Sequence, residues 1–159
     1  MMVRRLTVLQ NPDPEDQEAA ERSPRAWVGV GAILGFTCWL PLVIVAQWLS
    51  GRLVLWVSND PEAGALALLA AHLGPLLISL VLATGFAGAL VGRFGGRARA
   101  LHAGGSGLLM AAAVALFTLW AGSFPSLAVA LGGIAVLLAV STLSAWLGGL
   151  IGVRRRPRG

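Results

Sequence analysis

The chain has 159 residues; 57% are hydrophobic, 12% are charged, and the formal net charge is +5. A soluble domain carries about 25% charged residues, so this chain has too little charge to cover a surface facing water. A soluble globular enzyme, a disordered protein and a disulfide scaffold are excluded, and an all-α membrane protein is expected.

Residues 1–25 read as a polar, flexible tail interrupted by Pro12, Pro14 and Pro24. They are not a secretory signal, because the apolar stretch starts only after residue 25 and no clear small-residue cleavage site follows it. The first span is expected over 26–49, free of charge and carrying Pro41, which should bend it. Residues 50–61 read as an outer loop. Leu53–Val57 is apolar but too short to cross a bilayer. Asp60 suits a helix N-cap and Pro61 the first helical position.

The second span is expected over 61–92. Its 32 residues would reach about 48 Å, against a hydrocarbon core of about 30 Å. Gly74-Pro75 is the natural break, leaving 74–92 as the piece that crosses. A basic loop of residues 93–100 leads to a third span over 101–121 and, after an uncharged turn, a fourth over 127–152. Residues 153–159 form a basic tail. The sequence thus predicts one transmembrane domain, 26–152, built as a small bundle of four helices.

All twelve basic residues are arginine. Four lie in the first tail, three between spans two and three, and four at the end; only Arg52 lies on the other side, with Asp60 and Glu62. The positive-inside rule then places both termini in the cytoplasm and the protein in the cell inner (plasma) membrane. Trp48, Trp56, Trp120 and Phe124 fall near the outer interface, Trp27 and Phe94 near the inner one. A pI near 11.5 would suggest nucleic acid in a soluble protein, but here the arginines flank apolar spans. Arg93, Arg97, Arg99, Arg154, Arg155, Arg156 and Arg158 are expected to meet anionic lipid head groups.

Apart from Glu62 in the first turn of the second, no Asp, Glu, Lys or Arg lies inside a predicted span. Proton relays and ion-coupled transporters rely on such groups, and the first-helix carboxylate of small four-helix drug exporters is absent. His72, close to the outer boundary of the second span just before Gly74-Pro75, is a polar or proton site in its sharp reading and a hydrogen-bonded interfacial group in its plain one. Scattered Ser and Thr could line a narrow pore, although such hydroxyls more often bond a carbonyl one turn back. Neither a paired nucleophile nor a metal-ligand cluster is legible, and no cofactor is expected.

Small residues four apart mark helix-packing faces: Gly31 with Gly35, Gly88 with Gly92, Ser144 with Gly148, and Gly148 with Gly152. In lipid, association depends on close backbone approach, which missing side chains permit. Such faces serve packing within one copy, an oligomer, or docking to a partner. Gly88–Gly92 and Gly148–Gly152 each precede a basic segment, and Phe36-Thr-Cys-Trp39 resembles Phe117-Thr-Leu-Trp120, as two duplicated hairpins would. The functional expectation is a non-catalytic subunit or scaffold in a membrane complex or homo-oligomer. The alternative is a passive channel or holin-like pore formed by oligomerisation.

Overall fold

The computed structural model describes residues 24–95, 99–120 and 126–155. They form four helices: α1 (Pro24–Ser58), α2 (Ala65–Phe94), α3 (Ala100–Trp120) and α4 (Leu127–Arg154). No strand occurs among the described residues. Each helix is long and apolar enough to cross a membrane. Hydrocarbon offers no partner to a backbone amide, so an apolar chain entering it must satisfy its own hydrogen bonds as helix. The protein is a multi-pass membrane protein of four spanning helices.

Two boundaries differ from the sequence reading. α1 runs on to Ser58, so Leu53–Val57 forms its last turns rather than a loop. α2 starts at Ala65 with Gly64 at the N-cap. Asp60 accepts the Glu62 amide through Oδ1 at 3.0 Å, and its carbonyl accepts the Ala63 amide at 3.1 Å. The carboxylate has closed an Asx turn between two antiparallel helices, a competing use of the same side chain, and the helix starts after that turn. Nor does Gly74-Pro75 break α2, which is continuous through a buried Pro75.

Consecutive helices run antiparallel, so α1 is parallel to α3 and α2 to α4. Around the bundle the order is α1, α2, α4, α3; α2 and α3 also touch across the diagonal, while α1 and α4 do not pack on each other. Ser50 lies beside His72, Gly35 beside Ala87 and Gly31 beside Val91. Each pair of numbers totals 122, so Arg52 stands level with Ala70. From that level down to Arg93 is 23 residues, about 35 Å, close to a hydrocarbon core of about 30 Å with its boundary. The remainder of α1 and the first turn of α2 continue past that level as a hairpin tip, which accounts for the excess length of the second predicted span.

The core is built mostly of alanine and glycine. Its largest fully buried side chains are Met110, Val91 and Thr84. Most Leu, Ile, Phe and Trp side chains point outward instead, with Leu66, Trp56 and Trp120 among the most exposed and Leu80 a buried exception. Lipid tails solvate large apolar groups as well as a protein core does, so small residues that shorten the distance between helices gain more from burial.

Candidate functional site

The closest approach in the bundle is the seam between α2 and α4. A Cβ built on Gly88 would overlap the backbone of Ala145, and one on Gly92 the backbone of Gly149. From the other side, Gly148 faces the Gly85 carbonyl and Gly152 the Ala89 carbonyl. The contacts are reciprocal under one constant offset in numbering: positions 85, 88, 89 and 92 map onto 145, 148, 149 and 152. Each glycine Cα thereby presents its hydrogens to a carbonyl oxygen of the partner helix, a weak but recurrent bond at helix crossings. Thr84 and Ser144 obey the same offset, and their hydroxyl oxygens lie 2.5 Å apart. Each also reaches a carbonyl of its own helix, Thr84 to Leu80 and Ser144 to Val140, both at 2.8 Å. One hydroxyl therefore donates across the seam while the other donates back to its own helix.

This local two-fold relation does not extend to whole hairpins. An axis between α2 and α4 would put α1 and α3 on opposite flanks, yet α1 and α3 are in contact. The two Phe–Trp pairs also sit at different depths, one in mid-α1 and one at the end of α3, although their ring geometries are alike at 6.0 and 6.1 Å. Gly31 and Gly35 serve a different junction. A Cβ on Gly31 would lie 2.5 Å from Val91 Cγ2 and 2.7 Å from Ser106 Cβ, and one on Gly35 would lie 2.9 Å from Met110 Sδ. All seven small residues singled out in the sequence thus lie at contacts within one copy of the chain. Two further glycines were missed: Gly107 packs on the Ser141 backbone and Gly149 on Ala103 and Ala100. Ala103-x-x-x-Gly107 carries the same spacing, with alanine as its first member.

The hydroxyl groups do not form a continuous lining. Ser79 donates to the Leu76 carbonyl at 2.7 Å, Ser106 to Ala103 at 2.6 Å and Thr118 to Ala115 at 2.9 Å. Ser141 Oγ, Thr142 Oγ1 and Trp39 Nε1 are buried without a hydrogen-bond partner among the described residues. Val91, Ala103, Met110, Ala111 and Ala145 are all at most 2% exposed and fill the middle of the bundle.

His72 is exposed on α2, one turn before Pro75. The buried Ser50 hydroxyl donates to the His72 carbonyl at 2.9 Å and lies 3.3 Å from its Nδ1. With the serine hydrogen given to the carbonyl, the ring contact requires a proton on Nδ1. Pro75 brings no N–H for the Ala71 carbonyl, and Ser50 supports this part of α2 from the neighbouring helix. No cluster of three His, Cys, Asp or Glu side chains occurs among the described residues.

Arg25, Arg93, Arg99, Arg154 and Arg155 all lie at one end of the bundle and are exposed. Arg93 extends over the Phe94 ring at 5.3 Å. Arg97, Arg156 and Arg158 lie outside the described residues. The opposite end holds Arg52, 5.5 Å from the Trp48 ring centroid, with Asp60 and Glu62. His102 has a role the sequence reading did not assign: its Nδ1 accepts the Arg99 amide at 3.1 Å. With Arg99 as N-cap, His102 occupies N3 and reaches back as Glu or Gln does in a capping box.

Among the described residues the surface also carries hollows. One, about 380 Å³, lies at the α1–α2 tip, lined by Trp56, Val57, Asn59, Asp60, Ala63 and Ala67. Another, an open apolar groove of about 510 Å³, runs between α3 and α4 along Leu101, Gly104, Gly105 and Leu108 on one wall and Thr142, Leu143 and Trp146 on the other. Compared with protein-family models, curated proteins and solved structures, the chain matches none.

Proposed function

We propose that this protein is a non-catalytic structural subunit or scaffold of a membrane complex or homo-oligomer. It resides in the inner (plasma) membrane with both termini in the cytoplasm. The supporting observation is where the small residues are used. Gly31, Gly35, Gly88, Gly92, Ser144, Gly148 and Gly152 are all engaged inside one copy, which makes a close-packed unit of four helices. Most of its large aliphatic and aromatic side chains point outward, so association with other proteins uses those faces and not the glycine faces. The orientation rests on the clustering of arginine at one end of the bundle, where those residues meet anionic lipid.

Native mass spectrometry after gentle detergent extraction tests this reading. A reproducible partner or a defined oligomer is the expected result, and a monomer that co-purifies with no protein overturns it. A single copy offers no open path through Val91, Ala103, Met110, Ala111 and Ala145, so liposomes holding the pure protein are expected to stay tight to ions and small solutes. Leakage would favour an oligomeric pore.

A further inference from the structure

We propose that the groove between α3 and α4 is a binding site for one anionic phospholipid, with an acyl chain against Gly104 and Gly105 and the phosphate held at the start of α3. The proposal rests on the reading that the arginine-rich end of the bundle meets anionic head groups.

The groove lines up residues 101, 104, 105 and 108 of α3 with 142, 143 and 146 of α4. Gly104 and Gly105 supply no side chains, so the floor is backbone, while Leu101, Leu108 and Trp146 form the walls. Its volume falls within the range of about 300–1,000 Å³ typical of small-molecule sites. From Leu108 to Leu101 it runs about 10 Å along the helix, from mid-bundle toward the arginine-rich end. A partner helix would need a face along the full length of α3 and α4, whereas this groove covers only the half nearer the arginines.

Cationic and donor groups gather at that end. Arg99 is exposed and lies two residues before Leu101. The amides of Ala100 and Leu101 are the first two of α3 and have no partner among the described residues, as at any helix start. Because His102 Nδ1 accepts the Arg99 amide, the neutral ring carries its hydrogen on Nε2, a further donor. On the other wall, Arg154 follows Leu143 by eleven residues, about three helical turns, and so continues the same stripe of α4 beyond Trp146. A phosphate at the N-terminus of α3 would meet backbone amides, the favourable end of a helix dipole and two guanidinium groups. These features select a negatively charged head group over a zwitterionic one.

The test uses the full chain in detergent with equimolar phosphatidylglycerol and phosphatidylcholine, and counts retained lipid by native mass spectrometry. The wild type is expected to keep one phosphatidylglycerol in preference to phosphatidylcholine. Arg99→Gln and Arg154→Gln should each weaken that retention about fivefold, the worth of one basic residue at an anionic surface, whereas Arg52→Gln at the opposite end should leave it unchanged. Leu108→Trp, at an exposed position, should fill the groove and abolish retention. As a second measurement, phosphatidylglycerol with brominated acyl chains should quench tryptophan fluorescence less in Trp146→Phe than in wild type. Equal retention of the two lipids, retention indifferent to Arg99 and Leu108, or a second protein copy in the groove would each overturn the proposal. Because retained lipid is counted separately from protein partners, a failure here is distinct from a failure of the subunit reading.

Discussion

A single methyl group separates two classes of glycine in this chain. At Gly88 and Gly148 an added Cβ would meet backbone atoms of the facing helix, which cannot rotate away. Gly88→Ala or Gly148→Ala is therefore expected to force α2 and α4 apart and cost about 1–3 kcal/mol, the usual range for overpacking. At Gly132 a Cβ would meet nothing within 4 Å, so Gly132→Ala should be neutral or stabilising by up to about 1 kcal/mol. Reversible unfolding in mixed micelles reads both, and equal costs at the two kinds of site would contradict the seam. The Thr84–Ser144 pair invites a double-mutant cycle with Thr84→Val and Ser144→Ala. Hydrogen bonds between membrane helices average about 0.6 kcal/mol and reach about 1.7 kcal/mol, so a coupling in that range is expected. No coupling would mean that both hydroxyls serve only their own helices.

At the scale of one element, α2 has to pass its proline without breaking. Ser50 is buried on α1 and donates to the His72 carbonyl in the turn before Pro75. Ser50→Ala is expected to cost about 1 kcal/mol, a typical net value for one such bond. In a Pro75→Ala background the restored amide bonds the Ala71 carbonyl and not the His72 carbonyl that Ser50 reaches, so the two changes should be additive in unfolding free energy. A coupling between them would show instead that Ser50 also supports the carbonyl freed by Pro75. The sequence pointed to Gly74-Pro75 as a break because proline alone predicts one. The helix instead runs through a buried Pro75, and beside it a donor from the neighbouring element, distant in sequence, reaches the His72 carbonyl, which no local pattern reveals.

For the whole molecule, arginine placement and helix direction must agree. An even number of antiparallel helices puts the start of α1 and the end of α4 at the same end, where Arg25, Arg93, Arg99, Arg154 and Arg155 gather. Arg93 and Arg154 also stand in the last turns of α2 and α4, where positive charge offsets the helix dipole. Replacing Cys38 by Ser and adding Ser58→Cys or Arg155→Cys gives two probes of orientation. An impermeant maleimide applied to intact cells should label the first and spare the second; the reverse pattern would invert the proposed topology.

Apolar runs long enough to cross a bilayer, the lack of charge within them and the lopsided arginines are one-dimensional features, and they sufficed for four membrane-spanning helices and a small bundle. The glycine spacing likewise pointed to close packing, because the face it marks is a property of one helix. Which helix each face meets was not legible. Gly88 and Gly148 could equally have faced a second copy, and only their matching heights on parallel neighbours assign them to each other. The same holds for the outer loop that proved to be helix, for Asp60 closing a turn rather than capping α2, and for the groove beside Trp146. Each depends on which side chains and carbonyls another segment brings within reach, and that depends on long-range pairing rather than on local preference.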